Sequence, residues 1–171
     1  MKTLSPNQAK YRIEEAEGYL GLELWVEAEE RLDTVERSGH LPLACAILRG
    51  NLHMLRDEFA DAIPRFEAAL RHEPGNVSAT FGLGWCFKRV GRPDAAARAY
   101  EAALTHHPSE PLLHYNLACY LSLAGDAKRA LASLGNAVEL DPEFRSKAVE
   151  DADFDAIRDL PAFAELTLKQ Q

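Results

Sequence analysis

Positive charge is in deficit in this chain of 171 residues. Nineteen Lys and Arg stand against 27 Asp and Glu, a formal charge of −8. That balance speaks against nucleic acid and against anionic membrane as partners. Cysteine is scarce. Cys45, Cys86 and Cys119 are odd in number, far apart and never in a Cys-x-x-Cys spacing, which fits reduced thiols in a cytoplasm. There is no apolar run of 18 or more residues, so nothing reads as a bilayer span. The opening "MKTLSPNQAK" has no apolar core of signal-peptide type, and the expected location is cytoplasmic. What the chain does have is 47% apolar residues over a length that suits one domain with a real core.

Those apolar residues recur with a fixed period. "FADAIPRFEAALRHEP" (59–74), "PDAAARAYEAALTHHP" (93–108) and "AKRALASLGNAVELDP" (127–142) align without gaps. Ala62, Ala96 and Ala130 are 34 residues apart, as are Phe66, Tyr100 and Leu134, Ala69, Ala103 and Ala137, and Pro74, Pro108 and Pro142. One step earlier the same slots hold Ala28, Leu32 and Val35. A further small residue recurs at Ala16, Gly50, Gly84 and Ala118. Small residues at unit positions 8, 20 and 27, a large one at 24 and proline at 32 resemble the tetratricopeptide repeat.

The resemblance implies an all-α fold, a right-handed α-α superhelix of antiparallel helix pairs. Its repeats would span about 9–42, 43–76, 77–110 and 111–144, within a single domain over 1–171. Gly91 and Gly125 stand where the first helix of a pair should end. Ser5-Pro6-Asn7-Gln8 reads as a capping box. Pro64, a turn into a helix, should distort its start. Residues 145–171 are expected to form capping helices near 143–149, 152–158 and 161–168, with Phe154, Ile157, Leu160, Phe163 and Leu166 covering the last repeat.

Other chemistry finds little support. Gly82-x-Gly84 would need a third glycine at 87, which is Phe87, and a preceding strand. The period places it inside a helix, with Gly84 as the close-packing residue and Gly82 leaving room beside Phe81 and Trp85. Asp151-x-Asp153-x-Asp155 opens like a calcium loop, but Ala156 and Ala162 occupy the required glycine and glutamate positions, so a solvated acidic face is expected. His72, His106 and His107 are expected to be exposed at loop ends. His114 and Cys119, five residues apart on one helix, point about 140° away from each other. No cofactor, no metal and no catalytic residue is assigned.

The resemblance also implies a concave inner face lined by the first helix of each pair, mainly unit positions 2, 5, 9, 12 and 13. Here those positions bring Lys10, Ile13, Glu17 and Leu20, then Ile47, Asn51, Met54 and Leu55. Next come Phe81, Trp85, Lys88 and Arg89, then Leu112, Tyr115, Cys119, Ser122 and Leu123. Aromatic anchors beside a basic pair suit a peptide-binding hot spot, and Lys88 with Arg89 would select acidic partners. Equally, Phe81, Trp85 and Tyr115 could pack internally. The carboxylate clamp of chaperone-binding relatives is matched only by Asn51. The expected function is a non-catalytic protein-interaction scaffold that binds a partner peptide or helix. Similarity to class II chaperones of type III secretion is an alternative, and a small-ligand receptor or enzyme a more remote one. An exposed groove or terminal helix also allows a homodimer.

Overall fold

A computed structural model describes residues 4–168. Among these the fold is all-α, with no strand. Eight long helices come first: α1 (Pro6–Gly21), α2 (Trp25–Ser38), α3 (Pro42–Leu55), α4 (Phe59–His72), α5 (Val77–Arg89), α6 (Pro93–Leu104), α7 (Pro111–Leu123) and α8 (Ala127–Leu140). Two short helices, α9 (Phe144–Glu150) and α10 (Pro161–Thr167), follow, with a 3-10 turn over Ala152–Phe154 between them. The odd-numbered helices through α7 end at 21, 55, 89 and 123, and their partners begin at 25, 59, 93 and 127, each series in 34-residue steps.

The turn within each pair explains that regularity. Gly91 and Gly125 have φ of 73° and 82°, and Glu23 and Asp57, 68 and 34 residues upstream of Gly91, have φ of 58° and 59°. At each, two backbone bonds close the helix end. Gly91 N–H donates to Lys88 C=O at 3.1 Å and Arg92 N–H to Phe87 C=O at 2.8 Å; the same pair forms at Gly125 and Asp126, at Glu23 and Leu24, and at Asp57 and Glu58. This is the Schellman arrangement, which requires a left-handed residue. Ser5 and Gln8 form the expected capping box at the start of α1. α4 runs unbroken through Pro64; Pro64 and Ala60, whose carbonyl loses its helix partner, are both exposed, so water can serve it.

The chain forms two compact units, residues 1–86 and 87–171. In the first, Ala9, Ile13, Ala16, Leu20, Ala28, Leu32, Val35, Cys45, Leu48 and Leu52 form one core cluster. The Phe66 ring is fully buried against Gly50 and Gly82. A Cβ at either glycine would meet that ring at 2.6 and 2.3 Å. Gly82 therefore makes room for Phe66, rather than for Phe81 and Trp85. Arg49, its side chain 7% exposed, crosses from α3 to the carboxylates of Glu29, Asp33 and Glu36 on α2. Burial opposes its charge, but the bonds to Glu36 and Asp33 prevail and raise its pKa.

In the second unit, α7 packs against α6 and α8, and α10 against α8 and α9. Tyr100, Leu113, Leu134, Phe154 and Ile157 are fully buried, and Phe163 is buried as well. Leu160, expected to cover the last repeat, is 38% exposed because it precedes α10 instead of lying on its packed face.

Two measurements check this account. Glu23→Gly should raise stability by about 0.5–1 kcal/mol, since glycine takes the left-handed conformation without the Cβ clash, whereas Gly91→Ala should lower it by a similar amount. Chemical denaturation would show an unshifted midpoint for both if the turn imposed no strain. Gly82→Ala should cost roughly 1–3 kcal/mol by overpacking Phe66. Gly18→Ala, where a Cβ would meet nothing within 4 Å, should be neutral or stabilising by up to about 1 kcal/mol.

Candidate functional site

The period sets which side chains each odd-numbered helix turns away from its partner. Positions 8, 20, 24 and 27 are buried in all four units. Positions 9, 12 and 13 lie on a different stripe, and in the first two units they border an open groove of about 560 Å³. Its walls are Glu17, Leu20 and Gly21 at the end of α1, and Leu48, Asn51, Met54 and Leu55 along α3. Six of these seven residues hold position 9, 12 or 13 of their unit; Leu48 is the exception. The volume lies in the usual range of about 300–1,000 Å³ for ligand clefts. Ile47 and Phe81 are half-buried, while Trp85 is 43% exposed and Arg89 is exposed.

On α7 the corresponding stripe is closed except at its last position, where Leu123 is exposed. Tyr115, Cys119 and Ser122 are all buried. The segment after α9 turns back over them. Tyr115 Oη donates to Asp151 Oδ2 at 2.8 Å, and the Cys119 thiol lies 3.7 Å from the same oxygen. Lys88 Nζ donates to both carboxylate oxygens of Asp153 at 2.6 Å. Asp153 N–H in turn donates to Asp151 Oδ1 at 3.0 Å, which caps the 3-10 turn. The Tyr115 ring packs 4.7 Å from Phe144 and 5.6 Å from Phe154, centroid to centroid. Asp151 and Asp153 are thus half-buried recognition groups; the solvated acidic face expected of them survives only at exposed Asp155, which pairs with Arg158 at 2.8 Å. Internal packing, the second reading of the aromatic stripe, describes Tyr115.

The titratable groups here are tuned toward neutrality. Burial, then the bond to Asp151, pushes the Tyr115 hydroxyl up, and burial with the Asp151 and Asp153 charges pushes the Cys119 thiol up against a smaller opposing pull from Lys88. Burial alone pushes the Cys86 thiol up to about 11. Thiols held protonated are poor nucleophiles and poor metal ligands. Cys119, Asp151 and Asp153 are close enough to hold an ion, as are His53, Glu58 and Asp61. In the first cluster the Lys88 ammonium already neutralises Asp153; in the second, His53 Nδ1 is 2.7 Å from Glu58 and the residues are largely exposed. His114 Nε2 lies 2.8 Å from the Pro108 carbonyl, turned away from Cys119 as its helical position requires. His72, His106 and His107 are exposed.

Sequence reasoning missed the carboxylates that fill the α7 stripe and the glutamates that hold Arg49. The second had a signal: Glu29, Asp33 and Glu36 at i, i+4 and i+7 form one acidic stripe on α2. The first had none, because Lys88 and Asp153 are 65 residues apart.

Comparison with known proteins agrees with the period. Residues 53–118 match the family model of the tetratricopeptide repeat. Superkiller protein 3 of Saccharomyces cerevisiae is 30% identical over 82 residues, 48% of this chain and only 6% of that protein's length. Among solved structures, a MamA fragment from Desulfovibrio magneticus superposes with a TM-score of 0.70 at 18% identity, covering 82% of this chain and 80% of that one. YrrB, described as a tetratricopeptide protein with an unusual peptide-binding site, gives 0.66 at 20% identity over 79% and 70% of the two chains. A tetratricopeptide protein from Parabacteroides merdae gives 0.71 at 17% identity over 82% and 57%. With four helix pairs in 34-residue register, a tetratricopeptide match over residues 53–118 and structural neighbours of the same architecture, the chain carries tetratricopeptide repeat sequence in that segment and shares the fold of tetratricopeptide solenoids.

Proposed function

We propose that the protein is a non-catalytic interaction module that takes a peptide or helical segment of a partner protein on the stripe at positions 9, 12 and 13 of its first units. One observation carries this reading. The same three positions from two successive units line one open, largely apolar groove, while on α7 their counterparts at positions 9 and 12, Cys119 and Ser122, are buried and only Leu123 at position 13 is exposed. Asn51, Met54 and Leu55 supply its wall from α3, and exposed Trp85 with half-buried Phe81 and Ile47, in the same compact unit, extend the candidate surface beyond it. Apolar side chains with one amide and one carboxylate suit binding by desolvation with polar orientation, the usual division of labour in such sites. YrrB's described peptide-binding site is consistent with this use of the fold. Three buried free thiols suit a reducing compartment such as the cytoplasm.

Lys88 is engaged within the chain. Its ammonium is held by Asp153, so recruitment of an acidic partner through Lys88 would first require that contact to open. Tyr115, Cys119 and Ser122 likewise leave the proposed surface, because the C-terminal segment covers them.

Selection of displayed peptides on the purified chain tests the module. Met54→Glu should weaken the selected peptides at least about tenfold, as loss of a central apolar anchor does, with the unfolding midpoint little changed. Trp85→Ala should weaken those that reach α5. Undiminished binding by both variants would remove the assignment. A second measurement tests the closure over α7. Asp151→Asn with Asp153→Asn should cost about 1–2 kcal/mol and speed amide exchange over residues 150–157, since charge-assisted bonds are lost. Unchanged exchange would mean that Phe154 and Ile157 hold the segment alone.

A further inference from the structure

The groove on α1 and α3 has a charge as well as a shape. Glu17 is the one ionisable residue that lines it. Among the described residues, Glu17 carries no hydrogen bond or ion pair, and neither does Asn51. The nearby cations are engaged elsewhere. Arg12 and Arg31 bond to Glu15, Arg49 to the α2 carboxylates, and Arg56 to Glu29 at 3.2 Å. Lys10, seven residues before Glu17 on α1, is about 10 Å away along the helix axis.

The helix ends add to that field. The lining residues 17–21 and 51–55 are the last turns of α1 and α3, so two helix C-termini border one cleft. Each C-terminus carries the equivalent of about half a negative charge, which a basic residue in the last turn normally offsets. α1 has none there. α3 has His53, which is turned to Glu58, and its C-cap Arg56, which is turned to Glu29. An unopposed carboxylate and two negative helix ends thus surround an apolar floor of Leu20, Leu48, Met54 and Leu55.

We propose that this groove selects a partner segment that carries Lys or Arg beside its apolar anchors, the reverse of the acidic preference that Lys88 and Arg89 suggest in the sequence. The assignment rests on the groove being the binding surface. The apolar side chains of the segment seat against Leu20, Met54 and Leu55, and its cation meets Glu17 at the paired helix ends. An acidic segment of equal apolar content meets like charge at the same place.

The test uses the full chain and three synthetic amphipathic peptides with one apolar face of leucines, differing only in Lys, Gln or Glu at the edge of that face. Affinities are read by titration calorimetry at physiological salt. The expected order is Lys, then Gln, then Glu, with about three- to tenfold between the extremes, the scale of one exposed ion pair plus helix-end effects. Glu17→Gln should remove most of that spread and Glu17→Lys should invert it. Glu139→Gln changes net charge equally at an exposed position of α8 and should leave the spread intact, which separates local selection from the attraction of a −8 chain. If Met54→Glu abolishes binding but the Lys and Glu peptides bind alike, or Glu139→Gln acts as Glu17→Gln does, the charge assignment fails and the groove stands. Should Met54→Glu leave binding of every peptide unchanged, the groove reading itself fails, and this inference with it.

Discussion

The left-handed residue after each odd-numbered helix through α7 is the constraint on which the rest of the structure depends. Two backbone bonds at Glu23, Asp57, Gly91 and Gly125 set both the exit direction of the chain and the number of residues before the next helix. With that length fixed, the partner helix always begins at the same offset, and Ala28, Ala62, Ala96 and Ala130 each arrive buried in the pair. A turn longer by one residue would rotate the whole second helix by about 100° and carry its small residues out of the contact. The conformational cost at Glu23 and Asp57, about 1–2 kcal/mol each, is tolerated because the packing it positions is larger. In the first unit that packing includes the fully buried Leu32 and Phe66.

The same register decides which residues can face a partner. A repeat presents equivalent positions in every unit, but what stands at them differs. Position 9 holds Glu17, Asn51, Trp85 and Cys119. The first two border an open groove, the third is exposed, and the fourth lies beneath Asp151. The C-terminal segment treats the α7 stripe much as a bound peptide would, with acidic groups on Lys88 and Tyr115 and Phe154 as the apolar anchor. Closing one end in this way satisfies the need of a stacked helical array to cover its last apolar face.

Helix pairing and the small-residue contacts were legible because both depend on periodic residues. The turns at Gly91 and Gly125 were legible because glycine marks them, and those at Glu23 and Asp57 only through the period, since neither side chain announces a left-handed conformation. Gly82 was misread for a physical reason: its neighbour in space, Phe66, sits 16 residues away across a turn, so a local view offers Phe81 and Trp85 instead. After Pro142 the period stops, and Asp151 and Asp153 meet α7 and Lys88 through contacts that no spacing encodes. Open and covered parts of the stripe therefore look alike in the sequence.

Charge shows the same gap between composition and site. Positive charge is already in deficit, and Arg12, Arg31, Arg49, Arg56 and Lys88 among the 19 cations are bonded to carboxylates of this chain. A partner meets only the charge left over after internal pairing, amplified where helix ends converge and solvent is partly excluded. Lys88 sits on a candidate face in the sequence and is paired with Asp153 in the fold, while Glu17, a single acid among 27 acidic residues, stands beside an apolar cleft with no cation among the described residues bonded to it. Specificity at such a surface is thus set less by the residues a repeat places there than by which of them the rest of the chain leaves unpaired.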